Sequence, residues 1–134
     1  MSRINDCDQA TQDGRFKKAQ QFIAAAELVE DFADGALADV EAAYATLLVH
    51  AGIAASDVIC CVRLGRYSTS ENHNHAVAML KQVDANLSAD LALLLSLKTR
   101  AGYSAQSVTA EALTRAGRAA QRLIAAAVES RSSR

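Results

Sequence analysis

The stretch from Leu37 to Leu64, LADVEAAYATLLVHAGIAASDVICCVRL, carries apolar side chains at Leu37, Val40, Tyr44, Leu47, Leu48, Ala51, Ala55, Val58 and Val62. Steps of three and four along such a run hold one face of an α-helix, here for about seven turns. A further apolar set at Val49, Ile53, Cys60 and Leu64 covers part of the other side. This helix is therefore expected at the centre of the fold, surrounded by helices, or by helices and a second subunit.

The same periodicity extends outward from it. Upstream, Phe16, Ala19, Phe22, Ala26 and Val29 predict a first helix running to Ala33, broken by Asp34 and Gly35. Residues 1–13 are polar and read as a mobile tail. Downstream, Gly65 to Ser70 reads as a polar loop, and Ser68 with Glu71 has the capping-box spacing that opens a third helix from about Glu71 to Asn86. Ser88 is expected to cap a fourth helix with Leu91, Leu94, Leu95 and Leu97, ending near Gly102 and Tyr103. Leu113, Ala116, Ala120, Leu123, Ile124 and Ala127 mark a fifth, followed by a polar tail at 131–134. The expected architecture is an all-α, up-and-down bundle of four to five helices forming one domain over residues 14–130.

Composition agrees with that reading. The chain has no proline and six glycines, too little punctuation for an all-β fold with many tight turns. Its apolar fraction of 51% is rich in alanine and only 4% of residues are aromatic, which favours closely packed helices. A net charge of −1 excludes nucleic-acid binding by bulk electrostatics, so any RNA contact must be a local patch. Three cysteines, two of them adjacent at Cys60 and Cys61, make no disulfide framework and read as reduced packing residues. The polar start lacks the apolar core of a secretory signal, and charges interrupt the other apolar runs, so the expected location is cytoplasmic with no membrane contact.

Chemistry-bearing residues concentrate in Leu64-Gly-Arg-Tyr-Ser-Thr-Ser-Glu-Asn-His-Asn-His75. On a helix, His73 shares a face with Val77, Leu80 and Asp84 and leans toward the bundle, while His75 lies with Met79 and Gln82. Metal-free cleavage of a phosphodiester needs a group that moves the 2′-hydroxyl proton and a cation that stabilises charge on phosphorus. His73 and Arg66 are the residues of the right type, and the start of the third helix would add anion attraction. The alternative is a solvated arginine and a first-turn surface histidine. His50 and Asp57, seven residues apart, form a second polar pair on one helix face, or else satisfied core polars. Arg115, Arg118 and Arg122 make a basic stripe that either touches an RNA backbone or is simply the wet face. No Cys/His spacing suits a metal, and no glycine-rich phosphate loop or Gly-x-Ser-x-Gly elbow occurs, so no metal or cofactor is expected.

The order of these features resembles the HEPN family, the higher eukaryotes and prokaryotes nucleotide-binding domains, over about residues 14–128. The residues that carry the likeness are the alanine-rich start Ala42-Ala-Tyr-Ala-Thr of the long helix, the loop with Arg66 and His73, the phrase Leu97-Lys-Thr-Arg-Ala-Gly-Tyr103, and a last helix dense in alanine and arginine. The alanine-rich flavour is similar to actinobacterial members. The resemblance implies a helical bundle that forms a homodimer, with a composite cleft across the dimer axis to which the long helix contributes. It further implies a metal-independent endoribonuclease, toxin-like and partnered by a nucleotidyltransferase-type antitoxin, with the Arg-x(4-6)-His signature on Arg66 and His73. Asp57, Tyr67, Ser70 and Asn72 would be accessory or substrate-binding groups. Tyr67 stands where the family usually has a small polar or charged residue. The alternative implied by the family is a catalytically silent module that binds a nucleotide or a protein partner.

Overall fold

The computed structural model of the chain describes residues 4–69 and 73–133. Among the described residues it is an α-helical bundle of five α-helices with one small two-stranded sheet. In chain order the elements are strand β1 (Ile4–Asp6), α1 (Gln9–Ala33), a short 3-10 turn (Leu37–Val40), α2 (Glu41–Leu64), strand β2 (Arg66–Ser68), α3 (Asn74–Val83), α4 (Ala85–Gly102) and α5 (Ala110–Ser132).

The central position expected of the long helix is what the structure has. Between Tyr44 and Cys61 nearly every residue of α2 is buried, with α1, α4 and α5 packed around it. Leu48, Val49, Val58 and Ile59 meet Leu91, Leu94 and Leu123 in a core of fully buried side chains. Each such side chain stabilises the fold by about 1.5–3 kcal/mol. Residues 37–64 are apolar and long enough to cross a membrane on length and composition alone, and here they form the core helix, mostly buried within the bundle. Of the second apolar side of α2, Val49 and Cys60 are buried by the chain's own helices, while Ile53 and Leu64 stay half-buried.

Several boundaries differ from the sequence expectation. Residues 4–13, expected in a mobile tail, form β1 and the first turn of α1. Asp8 caps α1 by accepting the Thr11 N–H at 2.7 Å, which starts the helix before any apolar periodicity is visible. β1 pairs antiparallel with β2, Asn5 opposite Tyr67, so the expected loop after Gly65 begins as a strand and Ser68 lies in that strand instead of capping a helix. Glu71, the other half of the expected capping box, lies outside the described residues. The run expected as one helix to Asn86 ends at Val83, because Asp84 is extended and caps α4 through the N–H groups of Asn86 and Leu87. Ser88 sits inside α4, its hydroxyl donating back to the Ala85 carbonyl. At the far end α5 continues to Ser132, and Arg131, expected in a tail, binds Gln12 and Asp13 and lies over the Phe16 ring at 4.4 Å.

The cysteine reading is corrected as well. Cys7 and Cys61 form a disulfide, with Cα atoms 5.4 Å apart. The β1–β2 pairing and a hydrogen bond from the Cys7 N–H to the Gly65 carbonyl carry Cys7 alongside the last turn of α2. Gly65 makes the turn from helix to strand in the left-handed conformation, with φ at 73°. Cys60 remains a free, buried thiol.

Candidate functional site

A cleft of about 370 Å³ opens where α1, α2, α4, β2 and the start of α3 converge. Helical spacing explains its lining. Ile53, Ser56 and Asp57 share a face of α2, while Leu91, Leu95 and Lys98 share a face of α4. Arg15 reaches in from α1, Tyr67, Ser68 and Thr69 from β2 and the residue after it, and His73 from the N-cap of α3. The Asn5 amide donates to the Thr69 hydroxyl at 2.9 Å, so β1 braces this wall from behind.

Two contacts set the electrostatics. The Arg15 guanidinium donates from Nε to Asp57 Oδ2 at 2.9 Å. Burial pushes the Asp57 carboxyl up to about 6, the neighbouring guanidinium opposing that rise without cancelling it. Lys98 Nζ stands 3.0 Å from His73 Nε2. An ammonium group only donates, so Nε2 is the acceptor in this contact and its lone pair is engaged by Lys98. Among the described residues the formal charges facing the cleft are then two cations, Arg15 and Lys98, against one carboxylate, Asp57. With hydroxyl groups on one side and Ile53, Leu91 and Leu95 on the other, the arrangement suits a small anion attached to an apolar or aromatic body.

Asp57, Tyr67 and His73, singled out in the sequence, are therefore brought together. Arg66 is not: it is exposed on β2 opposite Asp6, and the cleft lining does not include it. The structure thus places Arg66 outside the cleft that His73 lines. Ser70 and Asn72 lie outside the described residues. His50 and Asp57 do not pair, since Asp57 binds Arg15 and His50 stacks on Phe22 with ring centroids 5.2 Å apart. Burial, then the charges of Lys98 and Arg15, hold the His50 imidazole below its ordinary pKa. The basic stripe of α5 is divided, because Arg122 makes a two-pronged ion pair with the buried Asp90, at 2.9 and 2.7 Å. Among the described residues no group of three His, Cys, Asp or Glu side chains is placed to hold a metal ion.

Sequence reasoning missed Arg15 and Lys98. Each carried a signal, a charge at an inward helical position: Arg15 is four residues before the buried Ala19, and Lys98 is seven after the buried Leu91.

Fold and site together define an all-helical bundle with a cationic, half-apolar cleft beside its small sheet. No family model matches the chain, and neither a curated protein nor a solved structure matches it.

Proposed function

We propose that the chain is a HEPN-like binding module whose cleft takes a phosphate-bearing ligand of nucleotide size. The observation that carries this reading is the convergence of Lys98 and Arg15 on a cleft with one apolar wall and a row of hydroxyl groups. The cations hold the phosphate and the wall of Ile53, Leu91 and Leu95 receives the base. Metal-independent endoribonuclease activity is the second reading, favoured by the His73 imidazole in the cleft, whose Nε2 becomes available as a general base once a phosphate draws the Lys98 ammonium away. Because Arg66 is outside the cleft, that reading needs a partner subunit to complete the composite site. A homodimer would form through outer faces such as that of Leu28 and Phe32, which are exposed one turn apart on α1. A nucleotidyltransferase-type antitoxin belongs to the ribonuclease reading alone.

Calorimetric titration with adenosine 5′-monophosphate separates these readings when paired with an RNA cleavage assay in EDTA. Binding of the monophosphate, weakened about tenfold or more in Lys98→Ala and nearly absent for adenosine, supports the module. RNA cleavage that leaves cyclic-phosphate ends and is lost in His73→Ala and Arg66→Ala supports the ribonuclease. Neither binding nor cleavage overturns both.

A further inference from the structure

The larger cavity of the molecule is on the opposite side of α2 from any role proposed above. It is a groove of about 700 Å³ between α1 and α5, with Tyr44 and Leu48 of α2 as its floor and Ile23 and Leu113 as its apolar walls. Its origin is the splay of two antiparallel helices. They are tied at one end, where Arg131 of α5 binds Gln12 and Asp13 of α1, and midway by the Gln121 amide donating to Glu27 at 3.2 Å. Beyond that point they part, and the 3-10 turn and Val108 close the end of the groove. The Val108 N–H donates to Glu41 at 3.0 Å, fixing that end wall to the start of α2.

The rim is electronegative. Glu27, Glu30 and Glu41 face the groove, against Arg118 and Arg122, and Arg122 is already engaged by Asp90. Glu30 accepts the Tyr44 hydroxyl at 2.9 Å, which places its carboxylate at the hydroxyl edge of the aromatic floor. One such bond leaves a carboxylate with further acceptor positions. Helix polarity adds to the charge. α1 ends here with its negative pole, and its last turn holds no basic residue to offset it. The positive pole of α5, which begins nearby, is capped by Thr109 and carries Glu111 in its first turn. The volume lies within the range of small-molecule sites, and Gly117 keeps the space above the Tyr44 hydroxyl open, since a Cβ there would come to 3.5 Å from it.

We propose that the α1–α5 groove binds an organic cation with an apolar body, its hydrocarbon on Tyr44, Leu48 and Leu113 and its ammonium on Glu30. The charge on the rim selects against anions of the same shape, and the ring of Tyr44 offers its apolar surface to the hydrocarbon.

Three probes of one shape test this: 2-phenylethylammonium, the neutral 2-phenylethanol and the anionic 3-phenylpropanoate, each titrated into the full chain and followed by amide NMR shifts. The ammonium is expected to bind with shifts grouped around Glu30, Tyr44 and Leu113, several-fold tighter than the alcohol, with no saturable binding of the carboxylate. Glu30→Gln should weaken it about tenfold, while Asp31→Asn, which removes the same charge one residue away and outside the groove, should change it less than twofold. Glu30 and Asp31 are both exposed, so each variant is expected to fold, which circular dichroism verifies. Equal binding of the three probes, no binding of the ammonium at millimolar concentration, or equal losses in the two variants would each overturn the proposal.

Discussion

Burial takes from the Asp57 carboxylate more hydration than the Arg15 guanidinium returns at 2.9 Å, and its pKa rises from 3.8 to about 6. The native state then holds this proton more tightly than the unfolded chain does. Its contribution to stability is complete below pH 3.8 and is lost as pH rises through 6. His50 acts with the opposite sign. Its imidazole is held below its ordinary value of 6.5, so its contribution is present above that pH and is lost as pH falls. The two effects run in opposite directions with pH, and the variant Asp57→Asn separates them. Urea denaturation of both proteins at several pH values is expected to show the wild type losing about 2–3 kcal/mol relative to Asp57→Asn between pH 4 and 8. Parallel curves would mean that Asp57 is not desolvated in the native state. Binding should follow the same group. Protonating Asp57 frees Arg15 for a phosphate, so the affinity for adenosine monophosphate is expected to rise as pH falls from 7 to 5.5, with Lys98, His73 and His50 the other titratable groups around Arg15. In Asp57→Asn that part of the rise should disappear.

Close approach of helices is the rule at the scale of elements, and among the glycines Gly52 has the least room for a side chain. A Cβ on Gly52 would lie 2.3 Å from Leu94 Cδ1 and 3.3 Å from Leu123 Cδ1. Both leucines are fully buried, so neither methyl has free space to move into. Gly52→Ala gains about 1 kcal/mol of helix propensity and loses more to overpacking. A net destabilisation of roughly 1–2 kcal/mol is expected, read as a lower melting temperature in circular dichroism. An unchanged or higher melting temperature would show that α2 and α4 are less closely packed than this. The helices themselves were legible in the sequence because alanine and leucine repeat with helical spacing, and α2 could be placed at the centre from its two apolar sides. The short elements were not. β1 is three residues of mixed polarity, Ile4-Asn-Asp6, and no local pattern marks a strand whose partner is some sixty residues away. Ser68-x-x-Glu71 and Asp84-x-x-Leu87 both offer a helix cap, and tertiary pairing of Ser68 with Ile4 removed the first. In the cleft, His73, Tyr67 and Asp57 were found by residue type in one dense stretch and one helix face. Arg15 and Lys98 are not legible in that way, because a lone charge on an amphipathic helix is usually solvated.

For the molecule as a whole, the bundle closes on itself at a single covalent point. The Cys7–Cys61 disulfide joins residues 54 apart in sequence and ties β1 to the end of α2. A closed loop of that length removes from the unfolded chain entropy that corresponds to about 4 kcal/mol. The bridge also supports the cleft, because β1 pairs with β2 and Asn5 holds Thr69 in the cleft wall. The neighbouring Cys60 offers no route to exchange. Burial, with a smaller contribution from the Asp57 charge, pushes its thiol up to about 12, so it has almost no thiolate at neutral pH. Cys7→Ser is therefore expected to lower stability by about 2–4 kcal/mol while leaving the helix content of α2, α4 and α5 intact. Hydrogen exchange should quicken in β1, β2 and the first turn of α1, and remain slow in the core of α2. Dithiothreitol should reproduce those changes in the wild type and add nothing to Cys7→Ser. Equal exchange rates in the two proteins would show that strand pairing alone holds β1 in place.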